Sequence, residues 1–321
     1  MAARESRKGT SRFKVKNWKE YEASLVKRGR IDFWIHEDAI SQWKVDLEVK
    51  NQGAQPKYSD LAIQTCLTFR SLFRLPLRQT EGFIDSLFEL MHVDLSSPDH
   101  TTLSRRSGSL TSFREKLKKL DKEDAINVLI DSTGLKMYGS GEWEEFKHGK
   151  GRKSGWMKLH LGVDEESKEI VASILTDHLT SDMSQVDPLL EQVEEDINDV
   201  KADGAYEYES VLEFLKKHEI QGKGIFPPPK NAILSENWKA DSTQRDLNIL
   251  RIYMDGRDIW EYASGYSKRN LAENAMFRYK NYFGSNLKAR TSKNQEAETN
   301  LEVHLLNQMT RLGMPKSERI R

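Results

Sequence analysis

The chain has 321 residues, with 50 Lys and Arg against 50 Asp and Glu and a formal net charge of zero. Apolar residues make up 37% and charged residues 31%, which excludes intrinsic disorder, and no apolar run is long enough to span a bilayer. Cys66 is the only cysteine, which excludes a disulfide scaffold and a cysteine-based zinc site and predicts a reducing, cytoplasmic setting. Met1 to Lys16 is charged and lacks the apolar core of a secretory signal.

The zero sum hides strong blocks. Residues 1–36 carry 10 basic and 4 acidic residues, 101–160 carry 13 and 8, and 264–321 carry 11 and 5. Residues 161–220 carry 4 and 17. The three basic blocks can follow a phosphate backbone, and the acidic block can hold cations or face solvent. Neutrality therefore does not exclude a nucleic-acid partner.

Residues 1–16 read as a flexible basic arm, and 17–120 as a helical region. Asp60–Phe73 and Thr80–Met91 are predicted helices, split at Leu75-Pro76. Ser97 or Asp99 can cap a helix that starts near Pro98 and runs through Arg106. A helix, a turn and a short helix ending in Arg105 and Arg106 suit a helix-turn-helix DNA reader, and equally a plain packing unit.

The texture then changes. Ala125–Asp131 is a short apolar run ending in an acid, as expected of a buried strand. Lys147 to Lys153 is basic and glycine-rich, and Lys150, Arg152 and Lys153 read as backbone contacts to DNA. Gly155–Asp164 and Glu169–Thr176 are predicted to form a hairpin. Met183–Ile197 reads as a helix, Asn198–Asp203 as a fourth strand, Tyr208–His218 as a helix and Gly224–Pro227 as a fifth strand. Residues 228–263 lack a clear period and read as a small insertion holding Trp238 and Trp260. Lys268–Phe283 is a predicted helix, followed by a helical tail. A three-strand meander and two strands joined through helices give the order of the ribonuclease H fold. The expected class is α/β, a mixed five-stranded sheet with flanking helices over residues 121–321, preceded by an all-α helix-turn-helix-like domain.

Asp131 and Asp203 each end a predicted strand. If those strands are neighbours, both carboxylates emerge at one sheet edge, and Glu273 on the later helix can join them. Three such carboxylates form a hard oxygen site for Mg²⁺ or Mn²⁺. Two ions there suit phosphodiester chemistry. On a helix, Arg269 lies one turn from Glu273, and Lys280 two turns further along the same side.

The spacing Tyr266, two residues, Arg269, three residues, Glu273, six residues, Lys280 resembles the Y-(2)-R-(3)-E-(6)-K signature of bacterial insertion-sequence transposases with a DDE triad. Val128–Lys136 and Ala202–Tyr206 resemble that family's first-Asp and second-Asp segments, and Ser97–Arg106 its N-terminal DNA-binding segment. The likeness runs from about Tyr58 to Pro315 and is closest to the IS-five family.

The resemblance implies a metal-dependent DNA endonuclease and strand transferase that binds terminal inverted repeats, cuts the element ends and joins them to target DNA. Asp131 would bridge two Mg²⁺ or Mn²⁺ ions, with Asp203 and Glu273 each completing one shell. Tyr266, Arg269 and Lys280 would position DNA near the cut. Both ends must be held together, so a homodimer or larger synaptic complex is expected, in the bacterial cytoplasm on the nucleoid. Another ribonuclease H-fold nuclease or resolvase, and a non-catalytic DNA-binding derivative of a transposase, stand as alternatives.

Overall fold

The computed structural model describes residues 12–35, 37–45, 56–110, 125–138, 155–204, 206, 208–218 and 222–320. The basic loop with Lys150, Arg152 and Lys153 lies outside the described residues. Arg12–Val15, placed in a flexible arm from the sequence, forms strand β1 and pairs antiparallel with Ser317–Ile320. The N-terminal helices are α1 (Trp18–Arg28), α2 (Ile31–Trp34), α3 (Glu37–Ser41), α4 (Asp60–Leu72), α5 (Leu77–Leu90) and α6 (His100–Ser107). Ser59 caps α4 by accepting from the Ala62 amide. Residues 62–71 of α4 are all buried, which makes it the central rod of this region. Asp99, rather than Ser97, caps α6, accepting from the Thr101 and Thr102 amides. The Ser97 amide donates instead to Asp85 Oδ1 at 2.7 Å, which ties the turn to α5.

A five-stranded sheet follows, with β2 (Ile126–Lys136), β3 (Trp156–Asp164), β4 (Ile170–Asp177), β5 (Ile197–Lys201) and β6 (Lys223–Ile225). Its order is β4-β3-β2-β5-β6, with β2, β3 and β4 antiparallel and β5 and β6 parallel to β2. Helix α7 (Val186–Leu190) precedes β5, and α8 (Tyr208–Lys217) joins β5 to β6. This is the ribonuclease H-like α/β arrangement expected from the sequence. Helices α9 (Gln244–Asp255) and α10 (Arg257–Ala263) fill the insertion. Helices α11 (Asn270–Phe283) and α12 (Ser292–Leu312) lead to β7 (Ser317–Ile320).

Several boundaries differ from expectation: β5 ends at Lys201 rather than at Asp203, α5 starts at Leu77 rather than Thr80, and three others have a clear physical reason. Strand β2 does not end at Asp131 but continues to Lys136, because β3 supplies pairing partners throughout, from Val128↔Asp164 to Lys136↔Trp156. The helix expected over 183–197 stops at Leu190. Its continuation would have placed Glu191, Glu194, Glu195 and Asp196 against the negative end of the helix dipole. The helix expected from Lys268 starts at Asn270, after a 3₁₀ turn over Tyr266–Arg269 that Gly265 enters at φ +68°. That left-handed conformation suits glycine.

The alternation of β2 and β5 divides the core. Ile126, Val128, Ile130, Val200 and Ala202 pack with α7 and α8 on one face. Leu129, Leu135, Leu159, Leu161 and Val163 pack with α11, α12 and the N-terminal helices on the other. The same core contains Trp43, Phe69 and Leu103, so helical region and sheet share one apolar interior.

Helix α12, expected as a tail, is a buried brace. Asn307 pairs its amide with both the N–H and the C=O of Ile170 at 2.8 Å, occupying part of the free edge of β4. Glu298 accepts from the Lys288 and Ala289 amides. Glu302 accepts from the Tyr279 hydroxyl. Burial first, and the charge of Glu298 second, raise the Glu302 carboxyl to about 8. A raised folded-state pKa gives stability that is complete below the unfolded pKa of about 4.3 and lost as pH climbs through the folded value. Glu302→Gln lacks this loss, so its urea midpoint should rise relative to wild type between pH 5 and 8. A difference that does not change with pH would mean that Glu302 is ionised within the fold.

Candidate active site

The side-chain alternation that builds the core also places the acids. Asp131 is in phase with Leu129 and Leu135, and Asp203 is in phase with Lys201, so both lie on the α11 side of the sheet. Val128 pairs with Val200 and Leu129 with Lys201 in parallel, so continuing that register two residues past the end of β5 brings Asp131 and Asp203 level. Pairing with β5 is last recorded at Leu129, so Asp131 sits two residues beyond it, at an open step in the sheet. Gly204 follows Asp203 where a Cβ would meet the Pro227 carbonyl oxygen at 2.9 Å, so only glycine lets the two segments approach.

Arg269 connects these strands to α11. Its Nη1 lies 3.3 Å from Oδ2 of Asp131, a residue 138 positions earlier, and its Nη2 donates to Glu273 Oε1. Asp131 is largely buried, whereas Glu273 is half exposed. The Ser132 amide donates to the other Asp131 oxygen at 2.9 Å. Burial raises the Asp131 carboxyl above its ordinary value, and the charges of Glu273 and Asp203 add to that rise. Ser132 and Arg269 oppose it without cancelling it. Asp131 therefore lies within electrostatic reach of both Glu273 and Asp203.

Tyr266 completes the group. Its ring lies 5.7 Å from that of buried Trp260, and the Arg269 guanidinium sits 5.9 Å above it. Trp260 donates to Asn248 at 3.2 Å, which makes it a core residue of the insertion. Trp238 is partly buried, with the Lys239 ammonium 5.7 Å over its ring. Lys280 lies two turns beyond Glu273 on α11 and has no recorded ion pair among the described residues.

The two arginines of α6 behave differently. Arg106 donates to the Tyr58 carbonyl and to Asp60, so it locks α6 to the start of α4. Arg105 is exposed. His160 is buried on the opposite sheet face and hydrogen-bonds Thr176 at 2.9 Å. Burial lowers its pKa to about 4, so it stays neutral although the Asp182 carboxylate lies 3.7 Å away.

The sequence did not reveal a clasp beside the acids. Glu165, just after β3, receives both Lys201 of β5 and Lys268 of the 3₁₀ turn. Burial opposes its ionisation, yet the two lysines hold its carboxyl below the usual value. Lys201 is two residues before Asp203, and Lys268 directly precedes Arg269, so Glu165 ties the strand of one acid to the segment of another. Nothing local marked it, because its partners are 36 and 103 residues away.

The fold and this carboxylate edge define a ribonuclease H-like enzyme scaffold. Two family models, both described as "Transposase DDE domain", match residues 26–140 and 123–308. The second spans more than half of the chain and includes Asp131, Asp203 and Glu273, and the chain belongs to the transposase DDE domain family. That family typically uses divalent metal ions. Among the described residues, no group of three or more His, Cys, Asp and Glu side chains is gathered as a ready-made metal cluster. The donor chemistry nevertheless fits a hard cation. The acids offer only oxygen, and burial, with the charges of Glu273 and Asp203 adding to it, holds the Asp131 carboxyl above its ordinary value. Arg269 supplies the positive charge between Asp131 and Glu273.

Removing Glu165 leaves Lys201 as an unpaired charge, and its side chain is only 5% exposed. Glu165→Ala should therefore cost about 3–5 kcal/mol in urea unfolding. Adding Lys201→Met should recover part of it. A cost below about 1 kcal/mol would show that the clasp is solvated and weak.

Proposed function

We propose that this transposase serves an insertion sequence, binding its terminal inverted repeats, cutting the element ends and transferring the 3′-hydroxyls to target DNA. The carrying observation is the shared face and level of Asp131 and Asp203, with Glu273 linked to Asp131 through Arg269. Asp131, Asp203 and Glu273 would hold one or two Mg²⁺ or Mn²⁺ ions. When bound, these supply water or hydroxyl activation and stabilisation of the leaving oxygen.

The remaining work belongs to the chain's own groups. Arg269 is a planar guanidinium between two acids, able to exchange a carboxylate for a phosphate oxygen on DNA binding. Tyr266 holds it there through the ring face. Lys280 follows the strand further along α11, and exposed Arg105 meets it from the N-terminal helices. Membership of the IS-five group agrees with the signature spacing. A dimeric or larger synaptic complex is needed to hold two ends. A cytoplasmic, nucleoid-bound setting agrees with the single buried cysteine and with the lack, among the described residues, of any helix long and apolar enough to cross a membrane.

Asp131→Asn and Glu273→Gln test this assignment. Each should bind a terminal-repeat duplex as wild type does, yet nick it at least about a hundredfold more slowly in Mg²⁺. That follows from losing several kcal/mol of charge stabilisation at about 1.4 kcal/mol per tenfold. Full cleavage by either variant defeats the assignment. Cleavage of branched DNA in preference to the repeats turns it towards a resolvase.

A further inference from the structure

Past Asp131, β2 runs on for five residues to Lys136. There it meets the segment after α11. The Lys136 amide donates to the Ser285 carbonyl, and the Leu287 amide to the Lys136 carbonyl, both at 2.8 Å. Between these segments lies an open groove of about 570 Å³, lined among others by Arg74, Lys136, Tyr138 and Lys288, with no acidic side chain in its described wall.

Its groups are held in place. Arg74 sits at φ +55° and donates to the carbonyls of Asn281 and Tyr282, the exposed end of α11. A non-glycine residue in that conformation persists only where its surroundings hold it. Tyr138 is 57% exposed, with the Arg290 guanidinium 4.9 Å over its ring. Lys136 and Arg290 have no recorded ion pair with a described acid. Lys288 feels Glu298 and Glu302 beneath it, so it contributes less outward charge.

We propose that this groove is a second DNA contact, taking the sugar–phosphate backbone of duplex DNA away from the cut. It rests on the DNA-cutting function proposed above. Five residues of strand at about 3.4 Å place Lys136 about 17 Å from Asp131. Along α11, the ten residues from Glu273 to Phe283 rise about 15 Å. Lys280 stands between, so the cations form a line from the carboxylate edge to the groove. A duplex rises about 3.4 Å per base pair, so the groove meets the backbone about five base pairs from the scissile bond. Backbone contacts carry no sequence information, so the groove fixes register rather than choosing the site.

The test uses the full chain and two probes of about 40 base pairs, one ending in the terminal repeat and one of random sequence. The variant is Lys136→Gln with Arg290→Gln, and a melting curve confirms that it folds. Each lost phosphate contact lowers the slope of log affinity against log salt by about 0.9, so the double variant should lose about 2. Both probes should weaken alike, by about tenfold or more near 0.1 M salt. Ethylation interference about five base pairs from the cut should vanish, while that at the cut remains. An unchanged salt slope and interference pattern, with wild type binding and nicking normally, overturns the groove and leaves the transposase function intact. Wild type that binds neither probe overturns the function itself, and the groove with it.

Discussion

Like charges gather only where a fold forces them together and a cation compensates. Asp131 and Asp203 are forced together by sheet phase and register, since each is in step with residues that must face α11. Glu273 approaches from a separate element. Arg269 is the compensating cation, with one nitrogen towards the strand acid and another on the helix acid. Burial is the main cause of the raised Asp131 carboxyl, and the charges of Glu273 and Asp203 add to it against the opposing Arg269. A buried carboxylate with two further acids near it is the kind of oxygen-donor setting that a divalent cation neutralises.

The rest of the structure keeps that arrangement rigid. Glu165 clamps the 3₁₀ turn to β5 beside the acids. Helix α12 braces the far side, engaging β4 through Asn307, α11 through Glu302 and the loop after α11 through Glu298. These are polar anchors in an apolar setting, where each unmade hydrogen bond is costly. The shared core carries the same rigidity to α4, α5 and α6. Helices α4, α5 and α6 are therefore fixed relative to the carboxylates.

The charge distribution follows the same plan. The zero net charge arises because acids crowd residues 161–220 while cations crowd 1–36, 101–160 and 264–321. Part of the acidic block lies in α7, α8 and the turn before β5, and α7 and α8 pack on the sheet face opposite α11, whereas Glu165 and Glu169 of the same block pair with Lys268 and Arg311. The zero sum is thus compatible with a surface that attracts a polyanion on one side.

Local pattern determined much of this. Period-two alternation marked the strands, the apolar run before Asp131 and the short strand before Asp203 located two acids, and the Tyr266–Lys280 spacing located the third with its cations. Turn and cap chemistry marked α4 and α6. What local pattern could not show was any property set by distant partners. Strand β2 passes through Asp131 because β3 pairs beyond it, although its sequence turns polar there. Arg106 and Arg105 look alike in sequence, and only the approach of Tyr58 and Asp60 commits one of them to the interior. Glu165, Asn307 and Arg74 have no local signature, since their partners are 36 to 208 residues away. The sequence by itself determined which residues carry charge and which segments alternate. Tertiary structure decided which charges meet, because that depends on long-range packing that no local pattern encodes.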